Sequence, residues 1–398
     1  MQKIVIIDDE AQFRQNIADS LHSIREVDER FDITALDETE FKKMRTELND
    51  RYDRYRRGKN VNEGECILDE TSILIIDYDL FELGLYGPLK ADGLIYQARC
   101  FSDCGLIISL NKDQRLNPFD LTLMGDVESF ADWDLGSKQM RNAGLWTTTF
   151  SGFRPWYWPI MPKALESFES RADEIVGKLD DPILEQLGLS SVEGLSESAV
   201  RFLGSKAGEI TFNDFFTNSG KCLSGKDCEN SNLVTDKRRA SIIASRLGKW
   251  MELNVLPGQD ILIDAPHLVS RYPSLLRGSP DAIESWNATT AISDKITDAI
   301  DTGKISKYEF RAANWFSRPV WYWNKIMNSD EIPEVGEPWT FKESSYAFCE
   351  DSSRFHPKEE CTMFVARGVS EFSMRFLKHF GTDVDYYPKK FISIPDGA

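Results

Sequence analysis

The sequence predicts an α/β protein: a doubly wound parallel sheet in its N-terminal part, followed by a mainly α second domain. Three observations carry that prediction. The runs Ile4–Ile7, Ile73–Ile76 and Leu106–Ile108 are apolar without alternation, the pattern of strands buried on both faces. Each run gives way to polar side chains, Asp8 and Asp9, Asp77, and Ser109 in turn. From about residue 200 onwards, stretches with apolar residues at helical intervals dominate.

Taken in order, the first strand leads into Phe13, Ile17, Leu21 and Ile24, spaced for one helix face. Phe31–Leu36 reads as a second strand, and Phe41, Met44, Leu48, Tyr52 and Tyr55 as the stripe of a long charged helix placed at about 38–65. The strands around Ile73 and Leu106 follow. Open parallel sheets hold ligands outside the carboxyl ends of their strands, so Asp8, Asp9, Asp77 and Ser109 are directed towards one crevice. Clustered carboxylates repel, and a hard divalent cation with oxygen ligands, most often Mg²⁺, offsets that repulsion. A carboxylate beside such a cation can attack a phosphoryl group. A hydroxyl such as Ser109 would hold a phosphoryl oxygen, and a lysine would balance the remaining charge.

The ordered set "IVIIDDE", "ILIID" and "LIIS", with "DGLIYQA" at Asp92–Ala98 between the last two, resembles the receiver domain of two-component response regulators over the first 150 to 180 residues. The resemblance implies a receiver, or flavodoxin-like, fold. It also implies that Asp77 accepts phosphate from a histidine kinase, that Asp8, Asp9 and Asp77 hold Mg²⁺ with the backbone carbonyl of Asp79, and that Ser109 is the switch hydroxyl. Three features depart from the family. The gap from Asp9 to Asp77 is long, which the charged helix at 38–65 accounts for, and "FELGLYGPLKA" is inserted before Asp92. The family's lysine, normally followed by proline, has no clear counterpart; Lys138 in "ADWDLGSKQM" is the choice and Lys112 its rival. A competing resemblance is to haloacid-dehalogenase-like phosphatases, whose motif "IIDYDL" fits with Asp77 as nucleophile and Asp79 as acid-base residue. Gly125-Asp126 and Asp132 would then supply the acidic metal motif, but Ser109 and Asp126 stand too close for that fold, and Asp8-Asp9-Glu10 goes unexplained.

At 398 residues the chain exceeds what one core usually serves. The expected division is a receiver-like domain at 1–180, a linker at 181–199 rich in Ser and Gly, and an α-rich output or interaction domain at 200–398. Helices are predicted in "KRRASIIASRLGKWMELNVL" and "DAIESWNATTAISDKITDAIDTG". A formal charge of −18 argues against a nucleic-acid partner, and the best basic run, Arg51, Arg54, Arg56, Arg57 and Lys59, reads as a solvated helix face. Seven cysteines, with no apolar leader ahead of the first strand, predict a reduced, cytoplasmic protein, and no apolar run approaches the roughly 20 residues of a membrane helix. Cys222, Cys228, Cys349, His356 and Cys361 form a zinc hypothesis, although their spacings lack the tight gap of most structural sites and free cysteines are the simpler reading. Cys100 and Cys104 read as packing residues, and His267 as a structural histidine.

One phrase occurs twice. "FRPWYWP" at Phe153–Pro159 returns as "SRPVWYWNKIM" at Ser317–Met327, and three consecutive large rings suit a seam between packed units. The function expected from all this is an atypical response regulator or phosphate sink. It would be a phosphoacceptor rather than a turnover enzyme, with a histidine kinase and a downstream protein or a second copy of itself as partners. A phosphatase, and a binding module with a vestigial receiver, are the alternatives.

Overall fold

A computed structural model of the chain describes residues 1–61, 63–80, 89–111, 123, 128–148, 154–189, 194–204, 206–218, 220–223, 230–259, 261–277, 282–289, 298–310, 315–316, 318–329, 346–366 and 374–378. The unalternating apolar runs are strands, as expected. In chain order the first part holds β1 (Gln2–Ile7), α1 (Ala11–His22), α2 (Arg25–Asp28), β2 (Phe31–Ala35), α3 (Glu38–Arg56), β3 (Ile73–Asp77), β4 (Asp79–Leu80), β5 (Leu89–Lys90), α4 (Ala91–Phe101), β6 (Leu106–Asn111), β7 (Trp133–Gly136), α5 (Ser137–Met140) and α6 (Met161–Val176). Strands β2-β1-β3-β6-β7 form one sheet, paired in parallel throughout. The chain leaves β1 towards β2 and returns on the other side of β1 as β3, so the point where winding reverses lies between β1 and β3.

Helix α3 starts at a capping box: the Asp37 side chain accepts from the Glu40 N–H at 2.8 Å, and the Glu40 side chain accepts from the Asp37 N–H at 2.9 Å. It buries Phe41, Met44, Leu48 and Tyr55 and ends at Arg56, nine residues short of the predicted limit, where Arg57 to Lys59 fold back on its last carbonyls. It is the ordinary crossover from β2 to β3, lengthened. One member of the supposed solvated basic run faces inward: Arg51 is 1% exposed and grips Asp69 through two bonds of 2.6 and 2.8 Å, with a third to the Phe101 carbonyl. A guanidinium is buried here because its fork of donors is matched by acceptors.

The remainder comprises α7 (Ile183–Gln186), α8 (Glu197–Leu203), α9 (Phe212–Asn218), α10 (Asp236–Trp250), β8 (Leu262–Asp264), α11 (Ala265–Arg271), α12 (Ala282–Thr289), α13 (Thr302–Ile305), β9 (Val320–Tyr322), α14 (Trp323–Met327), β10 (Tyr346–Cys349), β11 (Arg354–Pro357), β12 (Thr362–Ala366) and β13 (Met374–Leu377). Helices prevail up to α14, but a four-stranded sheet of order β11-β10-β13-β12 closes the described chain, where a mainly α domain was expected. Of its strands, "YAFC", "TMFVA" and "MRFL" do not alternate, so they carry no period-two signal.

The core crosses the expected boundary. One continuous apolar cluster runs from Ile4 to Leu377 and includes Ile183, Leu184, Leu187 and Leu189, inside the segment read as a linker. Helix α10 lies along α6, and its polar face is bonded to the first sheet's surroundings. Ser245 donates to Asp132 at 2.5 Å, Lys249 to the Ala131 carbonyl at 2.7 Å, Arg246 to the Ser129 carbonyl at 2.6 Å, and Arg238 to Asp103 at 3.0 Å.

The two aromatic phrases converge on a buried ion network. Trp156 of the first donates its indole N–H to Asp264 at 2.8 Å, and Arg318 of the second lies over the Tyr157 ring at 4.9 Å while pairing with Glu252 at 2.5 Å. Strand β9 of the second phrase pairs antiparallel with β8, placing Val320 opposite Asp264. His267 then joins Asp264 through Nδ1 at 2.5 Å and Glu350 through Nε2 at 3.0 Å, and Arg375 approaches Glu350 at 3.3 Å. Burial alone would push the Asp264 carboxyl up, but His267, Arg318 and the Trp156 N–H hold it well below the usual carboxylate range. Burial and Arg375 pull the imidazole down; Asp264 and Glu350 outweigh them and raise it. The seam expected of the repeated rings is thus an intramolecular one.

Candidate phosphoacceptor site

Strands β1 and β3 are neighbours with Ile7 opposite Ile76, so the residues that follow, Asp8 and Asp77, stand level at the carboxyl edge. Carboxylate oxygens of Asp8, Asp9 and Asp77 lie within 4.8 Å of one another. Among the described residues this is the one grouping of three or more metal-type side chains. Asp8 and Asp77 are buried, at 1% and 2% exposure, and Asp9 is half-buried. At an effective dielectric of about 20, two unit charges ~5 Å apart repel by about 3 kcal/mol. The local turn holds the arrangement: Asp8 accepts from the Glu10 N–H at 2.8 Å, and the Arg14 guanidinium donates to the Asp8 backbone carbonyl. Three convergent carboxylates form the donor set of a hard divalent cation, which Mg²⁺ fits.

The hairpin of β4 and β5 rises beside this cluster. Ala91 N–H donates to the Tyr78 carbonyl at 2.9 Å, while the Tyr78 N–H donates to the Leu110 carbonyl of β6 at 2.9 Å and ties the hairpin to the sheet. The first of these bonds flanks the pair Asp79 and Lys90, which is of the non-bonded kind, and the Asp79 carbonyl points out of the ladder. The Tyr78 hydroxyl donates to Asp92 at 3.1 Å; burial, with Asp92, Asp79 and Asp134 around it, raises the phenol above its ordinary value. Asp134 and Arg14 are site-edge residues that the sequence reading missed. Arg14 had one signal, its place one turn into the helix that follows the acidic pair.

Ser109 is 2% exposed, and its Oγ has no hydrogen-bond partner among the described residues. The register sets it opposite Ile76, with Leu110 opposite Asp77. It therefore stands one residue below the acidic level, and strand alternation gives its side chain the other face of the sheet. Lys138 follows β7 at the same carboxyl edge, on α5, where it is exposed and pairs with no described carboxylate. Its rival Lys112, and Asp126, lie outside the described residues.

Two expected constellations do not assemble. Asp132 is at the opposite edge of the sheet: its N–H donates to the Ile107 carbonyl near the start of β6, and its carboxylate is held by Arg99, the Ile107 N–H and Ser245. It cannot join Asp77 in a phosphatase metal motif. Of the zinc set, Cys222 lies against Cys100 in the large core, its carbonyl 3.7 Å from the Cys100 sulfur, whereas Cys349 and Cys361 meet each other far along the chain. His356 faces Ser352 at 3.0 Å, and Cys228 is outside the described residues. No three of these side chains come together among the described residues. Cys100 and Cys104 are both buried, the second beyond the end of α4.

Compared with known proteins, the chain matches no family model, no curated protein and no solved structure. The class is therefore defined by the sheet and its edge alone: an α/β protein whose winding reverses at a cluster of three aspartates.

Proposed function

We propose that the N-terminal sheet is a receiver-type phosphoacceptor of a two-component system, with Asp77 as the residue phosphorylated. The observation that carries this reading is the convergence of Asp8, Asp9 and Asp77 within 4.8 Å at the switch point of a parallel sheet. In the reaction a carboxylate oxygen of Asp77 attacks the phosphorus of a phosphodonor. The bond from phosphorus to the donor's leaving atom breaks as the new acyl phosphate forms. A divalent cation held by Asp8, Asp9, Asp77 and the Asp79 carbonyl would supply charge neutralisation on the phosphoryl oxygens. Lys138, at the same carboxyl edge, is the cation that would meet the product's charge, whereas Ser109, on the other face of the sheet, is left without the switch role. The natural donor in this reading is a phosphohistidine kinase. The output passes through protein contacts, supported by the direct packing of α10 on α6.

Intact mass after incubation with Mg²⁺ and acetyl phosphate tests the proposal. One base-labile phosphoryl adduct is expected on the wild type, none on Asp77→Asn, and none when the metal is chelated. An adduct that persists in Asp77→Asn, or a wild type that takes up nothing, overturns it. Steady phosphate release from a generic phosphomonoester would point to the phosphatase instead.

A further inference from the structure

Away from the acidic edge, the sulfurs of Cys349 and Cys361 stand 3.3 Å apart. Cys349 ends β10 and is wholly buried, while Cys361 follows the turn at Lys358–Glu360 and is half-buried. The sulfurs meet outside strand pairing: β13 lies between β10 and β12, so no strand ladder holds these two residues together. What brings the second sulfur in is the turn, whose Pro357 carbonyl lies 3.2 Å from the Cys361 sulfur. A disulfide bond is about 2.05 Å long, so the sulfurs need close by only ~1.2 Å. The other described cysteines, Cys66, Cys100, Cys104 and Cys222, are buried in the large core.

The pair is also asymmetric. The Cys349 S–H is placed to donate to Cys361, which stabilises the thiolate at the more accessible sulfur. Burial pushes both thiols up, and at Cys361 the bond from Cys349 and the Lys378 ammonium work against that rise. An accessible sulfur that ionises first, backed by a buried one within reach, is the arrangement of an attacking and a resolving cysteine.

We propose that Cys349 and Cys361 form a reversible thiol–disulfide site, oxidised by a low-molecular-weight disulfide such as oxidised glutathione. The Cys361 thiolate attacks one sulfur of the small disulfide, whose S–S bond breaks and whose other half leaves as a thiolate that takes up a proton. Cys349 gives its proton to solvent and attacks the Cys361 sulfur, expelling the second half. Two protein thiols and one small disulfide thus become one protein disulfide and two small thiols; the protein loses two electrons and the reagent gains them. The bond joins the end of β10 to the start of β12, and Cys349 is followed directly by Glu350, the partner of His267 and Arg375. Oxidation is thereby written into the network that holds the two aromatic phrases.

The test equilibrates the full chain in glutathione buffers from fully reduced to strongly oxidising, quenches with acid, alkylates the remaining thiols and maps the peptides. The expected result is one internal cross-link between Cys349 and Cys361 that appears over a narrow range of buffer ratio and reverses on reduction. In Cys361→Ser the cross-link is lost and Cys349 keeps its label, a variant chosen because its side chain is half-exposed and the fold tolerates it best. Both thiols still labelled in the most oxidising buffer would refute the proposal. So would glutathione left on Cys361 without resolution, or Cys349 paired with any other cysteine.

Discussion

At the ends of β1 and β3, carboxylate faces carboxylate; around His267, every carboxylate faces a cation. The first group, Asp8, Asp9 and Asp77, gathers like charge within 4.8 Å. In the second, Asp264, Glu350 and Glu252 give three negative charges, while Arg318, Arg375 and a protonated His267 give three positive ones. His267 must be protonated to fit, because both its ring nitrogens point at carboxylate oxygens and a neutral imidazole has only one donor. The second cluster is closed by its own side chains and holds the fold together. The first brings like charge together in a donor set that a divalent cation would neutralise. The two clusters are therefore told apart by what each carboxylate meets.

The largest difference is expected when one acid is removed from each cluster. Asp264→Ala leaves His267 with Glu350 alone and Arg318 with Glu252 alone, one buried positive charge in excess, and is expected to cost about 3–5 kcal/mol in urea unfolding. Asp77→Asn relieves repulsion and is expected to stabilise the chain by about 1–2 kcal/mol in the absence of divalent metal. Equal losses in both variants would show that the two clusters are alike.

Next in size is the pH dependence of the closed cluster. His267 is raised above its ordinary 6.5, so its contribution is complete below about that pH and is lost as pH rises through the higher folded value. Asp264 is lowered below its ordinary 3.8, so its contribution is complete above that pH and is lost as pH falls through the lower folded value. The seam is therefore strongest between pH 3.8 and 6.5. Unfolding midpoints of the wild type and His267→Gln, followed from pH 6 to 9, should converge as pH rises; a constant gap would show that the imidazole is not the titrating group.

The smallest effect expected is that of Ser109→Ala. A buried hydroxyl with no described partner contributes little, so stability should change by less than about 1 kcal/mol, in the stabilising direction. Because Ser109 lies one residue below the acidic level, phosphoryl uptake on Asp77 should survive the change. A failure of uptake in this variant would bring the hydroxyl into the reaction itself.

The acidic edge was legible because it needs only local signals: apolar runs without alternation, each stopped by Asp8 and Asp9 or by Asp77. That these segments are strands followed from the same runs; their order in the sheet, and β7, came only with the structure. The ion network was not legible, since its members are brought together from 108 residues apart, as with Trp156 and Asp264, and no spacing rule spans that distance. Arg51 misled for a related reason: among four neighbouring basic residues, only the partner Asp69, 18 residues on, marks it as the buried one. The terminal sheet escaped because "YAFC", "TMFVA" and "MRFL" do not alternate.

The bond from Ser245 to Asp132 has a consequence for how such a chain can be reused. A signalling module that travels between proteins carries a finished surface, so that cutting it out exposes nothing greasy. Here the helix that covers α6 belongs to the far half, and the carboxylate that fastens it sits at the foot of the first sheet. The portable unit consequently includes α10: a graft of the first 180 residues into a new host would arrive with the face of α6 bare.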